Sequence, residues 1–162
     1  MTDAAQQQAG QPVFNVEKLY VKDLSLEVPN APQCFLEREQ PEIQVQLATT
    51  GTAVGEAIFD VVLTVTVTAK LKEKTLFLVE VAQAGLFHIR NVPDQDLEPI
   101  IGVACPNIMF PYAREVISDA VVRAGFPPVI LAPVNFENMY HQRLQQQAQS
   151  GGAAAEGAPQ IQ

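Results

Sequence analysis

Residues 105–126, "CPNIMFPYAREVISDAVVRAGF", decide what kind of fold this chain takes. From Ala113 to Ala124 the stretch has the period of an amphipathic helix, with Ala113, Val116, Ile117, Ala120, Val121 and Ala124 on one face. Gly125 stops the helix, because glycine adopts the left-handed closing conformation at little steric cost. The front end is different. Ile108, Met109, Phe110 and Tyr112 make it apolar on every side, and it carries Pro106 and Pro111. Asn107 is the expected N-cap, with Pro111 in the first turn, where a missing N–H does least damage. A start at Pro111 itself is the alternative. One sheet face can bury only one face of a helix, so an entrance apolar all round needs cover on a second side. The chain's own core is one possible cover; the pattern favours a subunit interface.

The sheet is written upstream. Leu24, Leu26 and Val28 alternate with Asp23, Ser25 and Glu27, the period of two of a half-buried strand. Ile43, Val45 and Leu47 alternate with Glu42, Gln44 and Gln46 in the same way. "IFDVVLTVTVTAK", 58–70, is β-branched nearly throughout. The link "LKEK" then joins it to "TLFLVEVAQAGLFHI", 75–89, and is short enough for a hairpin. The expected fold is therefore α+β: an antiparallel meander of about four strands, then a long helix and a C-terminal helix. Two segments stand out from this plan. "PNAPQCFLEREQP", 29–41, is long for a hairpin link and holds Phe35 and Leu36, apolar residues a plain loop would not need. "DQDLEPIIGVAC", 94–105, reads as a short irregular helix interrupted by Pro99 and Gly102. Asn135 is placed to cap the last helix, where Phe136, Tyr140 and Leu144 recur every four residues.

Length and composition fit one domain. A chain of 162 residues with 48% hydrophobic content can bury a core without staples. Residues 1–12 and 148–162 read as disordered tails around a domain at 13–147. The latter tail is rich in Gln, Ala and Gly and has few large apolar residues to offset its ordering entropy. No stretch approaches a membrane span, and the first residues lack the basic and apolar regions of a signal peptide, so a cytoplasmic location without membrane insertion is expected. Cys34 and Cys105 stand in no metal-like spacing, consistent with reduced thiols. A net charge of −8 argues against nucleic acid as a partner and for basic ones.

Motifs of catalysis are missing. There is no phosphate-binding loop, dinucleotide fingerprint, GxSxG or HExxH, and His88 and His141 are the only histidines. A Cys105–His nucleophile pair has no local signature behind it. No enzyme activity, catalytic residue, metal or cofactor is expected. Asp23, Ser25 and Glu27 allow two readings: the solvated face of a strand, or an acidic docking surface that Glu80 would enlarge. The aromatic face of the last helix is equally open between core and the wall of a groove.

With the segments laid out, the chain resembles the SecB family of cytosolic protein-export chaperones. "FNVEKLYVKDLSLEVPNAP", "VTVTAKL", "CPNIMFPYAREVISDAV" and "LAPVNFENMYHQRLQQQ" carry the likeness in order and spacing, from about Phe14 to Gln147. The resemblance implies a homotetramer, a dimer of dimers, with the long helix between subunits. Met109, Phe110, Val116, Ile117 and Val121 would then lie at the interface. It implies a protein that holds unfolded precursors without ATP and passes them to the SecA motor. Asp23, Glu27, Leu78 and Glu80 match the family positions that receive the basic, zinc-bearing tail of SecA. Phe35, Met139, Tyr140 and Leu144 belong to elements the family uses to wall its client groove. Family members often carry a tryptophan in the loop after the first strand; this sequence has none. The rival reading is an oligomeric adaptor that binds one folded basic partner through the acidic face.

Overall fold

The computed structural model describes residues 10–153, with side chains from 10 to 150. Residues 1–9 and 154–162, most of the two expected tails, lie outside the described residues. Four antiparallel strands form one sheet: β1 (Val13–Glu27), β2 (Glu42–Gly55), β3 (Ile58–Leu71) and β4 (Lys74–Arg90). After them come α1 (Asp94–Pro99), a π turn (Ile100–Ala104), the long α2 (Cys105–Arg123) and α3 (Phe136–Ala153). The α+β order matches the expectation. The helix α3 runs past 147 to Ala153, because a glutamine- and alanine-rich segment favours helix over coil.

The sheet is not a simple meander. Its spatial order is β1-β4-β3-β2, so β1 pairs with β4 and not with its sequence neighbour β2. The link 28–41, with a short 3-10 turn at Gln33–Leu36, carries the chain from one sheet edge to the other. Its length is explained by that journey. Strand β1 also departs from strict alternation, with register shifts between Val16 and Lys18 and between Val21 and Asp23. Each shift is a bulge that inserts one extra residue and restores the apolar side chains to one face.

The helix α2 lies across β3 and β4. Val61, Leu63, Val65 and Val67 of β3 and Val79, Val81 and Phe87 of β4 point toward it and are fully or almost fully buried. From the helix come Cys105, Met109, Ala113, Ile117 and Val121, likewise buried. Burial of each larger side chain contributes roughly 1.5–3 kcal/mol before entropy is counted, so this layer dominates the fold's stability.

The entrance of α2 resolves differently from the expectation. Ala104 and Cys105 keep helical dihedrals (φ −64°, ψ −46° and φ −63°, ψ −49°), so the π turn feeds directly into α2. Asn107 therefore lies inside the helix and caps nothing, and Pro111 falls beyond the first turn. Packing of Pro106, Met109 and Phe110 into the core overrides the local stop signals. Much of the second cover comes from this chain: Phe110 meets Phe136 of α3 edge-on at 5.8 Å, and Leu131 is buried alongside in the same core. The C-terminal stop is as expected. Gly125 (φ +92°) closes α2, with its N–H on the Val122 carbonyl (3.0 Å) and the Phe126 N–H on the Val121 carbonyl (3.2 Å). Asn135 caps α3 through Oδ1, which accepts from the Asn138 N–H at 2.9 Å.

Candidate functional site

Because α2 covers only the two central strands, the outer strands keep apolar side chains uncovered on the helix side. On β2, Ile43, Val45 and Leu47 pair with Ala69, Val67 and Val65, which fixes them on that side. Ile43 and Val45 are each 41% exposed. A cavity lies at either end of this strip. The first, of about 470 Å³, sits between the crossing link, Ile43 and the residues after α2. Its apolar wall is a row of rings: Phe35 on Phe126 (5.1 Å between centroids) and Phe126 on Phe77 (4.9 Å). Glu37 and Glu39 line the same cavity, and Glu39 pairs with Lys72 at 3.3 Å. The second cavity, of about 280 Å³, is walled by Leu47, Gly102, Met139, Tyr140 and Arg143. A Cβ on Gly102 would come within 2.9 Å of the Tyr140 ring, so the glycine lets α3 approach the π turn.

Of the four expected groove residues, Phe35 lines the first cavity and Met139 and Tyr140 the second. Leu144 lies a turn further along α3 and lines neither. The strip Ile43–Val45–Leu47, which joins the two cavities over about 14 Å of strand, is read from the sequence as the apolar face of a strand but not as part of a groove. Alternation tells that one strand face is apolar; it does not tell what covers that face.

The opposite face of the sheet is polar. Strand pairing sets Glu27 opposite Leu78, Ser25 opposite Glu80 and Asp23 opposite Ala82. Asp23, Glu27, Leu78 and Glu80 therefore share one face, away from α2. Asp23 and Glu27 are exposed, and Leu78 and Glu80 are half-buried. Thr66 donates its hydroxyl to Glu80 Oε2 at 2.7 Å, which orients that carboxylate. Next to this group is a cluster that sequence reasoning missed. Asp60 on β3, 9% exposed, accepts from the Tyr20 hydroxyl at 2.9 Å and from Lys22 Nζ at 2.8 Å. Burial, then the hydrogen bond and charge of Asp60, push the Tyr20 phenol above its usual range. The hydrogen bond and charge of Asp60 raise the Lys22 ammonium likewise.

A third surface lies on the helix side of β1. Phe14, Val16, Val21, Leu24 and Leu26 pair with helix-side positions of β4 and remain 37–47% exposed. Of the five expected interface residues, Met109, Phe110, Ile117 and Val121 are buried in the chain's own core. In the single chain these four side chains, 0–5% exposed, pack into its own core. Val116 is half-buried; Tyr112 and Val122 are the exposed apolar residues of α2.

Cys105 is poorly placed to act as a nucleophile. It has no exposed surface, and burial pushes its thiol up to about 12. Among the described residues no group of three or more His, Cys, Asp or Glu is placed to hold a metal ion, and no helix is long and apolar enough to cross a membrane.

The family described as preprotein translocase subunit SecB matches residues 7–147. The protein-export protein SecB of Dechloromonas aromatica is 69% identical over 150 residues, 93% of this chain and 97% of the relative. That of Chromobacterium violaceum is 65% identical over 149 residues, 92% and 99% of the two chains. Among solved structures, a SecB-like chaperone of Mycobacterium tuberculosis, in complex with a peptide from an antitoxin, superposes with a TM-score of 0.63. It is 15% identical, over 75% of this chain and 90% of the other, a likeness of fold. An α+β sheet with an apolar helix side, an acidic open side and this extent of identity leave one assignment: the chain belongs to the SecB family of protein-export chaperones.

Proposed function

We propose that this protein is an ATP-independent holding chaperone that binds unfolded precursors along the helix side of β2 and delivers them to SecA for export. The observation that carries the reading is the strip Ile43–Val45–Leu47, exposed at Ile43 and Val45 and half-buried at Leu47, between two cavities walled by Phe35 and Tyr140. An unfolded chain offers apolar side chains at irregular intervals, and an open strip with a pocket at each end accepts them with little demand on sequence. The Mycobacterium tuberculosis SecB-like chaperone is in complex with a peptide, which supports peptide binding on this fold. Binding the unfolded state draws a client away from its native state by mass action, and no nucleotide, metal or other cofactor enters the cycle.

On the opposite face, Asp23, Glu27, Leu78 and Glu80 receive the basic, zinc-bearing tail of SecA. The working form is a cytoplasmic homotetramer, a dimer of dimers. The apolar strip of β1, together with Tyr112, Val116 and Val122 on α2, supports assembly through surface that the single chain leaves open. Tetramer symmetry multiplies the client sites and adds avidity. The test is refolding of a chemically denatured precursor in the absence of ATP. The protein is expected to delay refolding of several unrelated precursors; delay of none, with tight binding of a single folded basic protein, would favour an adaptor instead.

A further inference from the structure

The bulge between Val21 and Asp23 sets a lysine beside an aspartate that the proposed docking face requires. Lys22 is the extra residue there, and its ammonium extends over the same open face as Asp23. The ammonium does not pair with Asp23. It crosses β4 to Asp60 Oδ2 on β3 at 2.8 Å, running diagonally past the small Ala82 and Ala84 toward the row in which Leu86 faces Asp60. Tyr20 holds the other carboxylate oxygen of Asp60 at 2.9 Å, so the acid is fixed from two sides. The Asp60 side chain is 11% exposed, whereas that of Lys22 is 51% exposed. The anchored partner is thus the acid, and the lysine is drawn to it.

We propose that Asp60 is a positioning residue for partner docking: it draws Lys22 aside and leaves Asp23 and Glu80 unneutralised for an incoming cationic peptide. The proposal rests on the reading of that face as the docking surface. Without the Asp60 charge, the flexible Lys22 side chain turns toward its neighbour Asp23 and competes with the peptide for the same carboxylates. Tyr20 serves the same end, because its hydroxyl keeps Asp60 in the orientation that Lys22 meets. The arrangement accounts for a buried acid on an otherwise threonine-rich strand face, where Thr64, Thr66 and Thr68 carry no charge.

The experiment compares wild type with Asp60→Asn, Lys22→Met and the double variant, each as the full chain. Asparagine keeps the shape and an acceptor for Tyr20 and removes the charge. Two quantities are read. The first is the rate at which an amine-specific acylating reagent modifies Lys22, with Lys18 as internal reference. The second is the affinity for the zinc-loaded tail peptide of SecA, by calorimetry at low salt. Asp60→Asn is expected to speed acylation of Lys22 relative to Lys18 and to weaken peptide binding by about threefold or more. Lys22→Met in the Asp60→Asn background is expected to restore affinity, an outcome a merely structural role for Asp60 would not give. Equal acylation of Lys22 in wild type and Asp60→Asn overturns the proposal, whether or not the peptide binds. So does weakened binding that Lys22→Met leaves unrescued. Failure of wild type itself to bind the peptide counts against the docking face, and the acylation ratio then still decides where Lys22 is held.

Discussion

Cys105 illustrates how much one buried side chain can make of pH. It has no exposed surface at the start of α2, and burial alone raises its thiol from the ordinary 9.0 to about 12. A raised folded-state value means that the native protein holds the proton more tightly than the unfolded chain does. The associated stability is complete below pH 9 and is lost as pH rises toward 12, at about 1.4 kcal/mol per pH unit. Tyr20 and Lys22 shift in the same direction, so wild type alone cannot isolate the thiol. Cys105→Ala can, because the cavity it leaves is a constant offset. Urea unfolding at pH 8 and pH 10.5 is expected to show a loss about 2 kcal/mol larger in wild type than in Cys105→Ala. Parallel losses would place the thiol in a wetter environment than the structure describes.

At the level of elements, the C-terminus of α2 joins helix closure to groove geometry. Gly125 adopts φ +92°, and a Cβ there would come within 3.1 Å of the Phe35 ring. Gly125→Ala is expected to cost about 1–2 kcal/mol from the left-handed backbone, measured as a lowered urea midpoint. It also pushes Phe35 outward and should weaken client retention. An unchanged midpoint would mean that α2 closes in some other way. Closure by Gly125 was legible in the sequence because it depends on neighbours in the chain. The two central strands were legible for the same reason, as was the Asn135 cap. Strand order was not, since the pairing of β1 with β4 joins segments distant in sequence, and alternation carries no information about partners. The bulges of β1 were in fact written locally. Phe14, Val16, Leu19, Val21, Leu24 and Leu26 are spaced two, three, two, three and two apart, and each step of three straddles a bulge. That spacing also marks Lys22 and Asp23 as neighbours on one face. Phe35, Met139 and Tyr140 were named through the family resemblance, and they line the two cavities. Val45 was not named with them, because a core strand and an open groove strand have the same pattern.

The whole molecule presents three surfaces: an apolar strip on β2, an acidic open face, and an apolar strip on β1. The last belongs to assembly in this account. Leu24, 47% exposed, sits on the helix side of that strip, and Leu24→Asp would bury an unpaired charge on association. Sedimentation at micromolar concentration is expected to show a tetramer for wild type and smaller species for Leu24→Asp, with the far-ultraviolet spectrum unchanged. A wild-type monomer would remove the β1 strip from assembly. The claim on which the account turns is that unfolded clients lie along β2 on the helix side. A photoreactive residue placed at Val45 tests it most directly, with one at Thr64 on the opposite sheet face as the control. With a denatured precursor and no nucleotide, the account predicts adducts from Val45 and none from Thr64. Adducts from Thr64 with none from Val45 would contradict it.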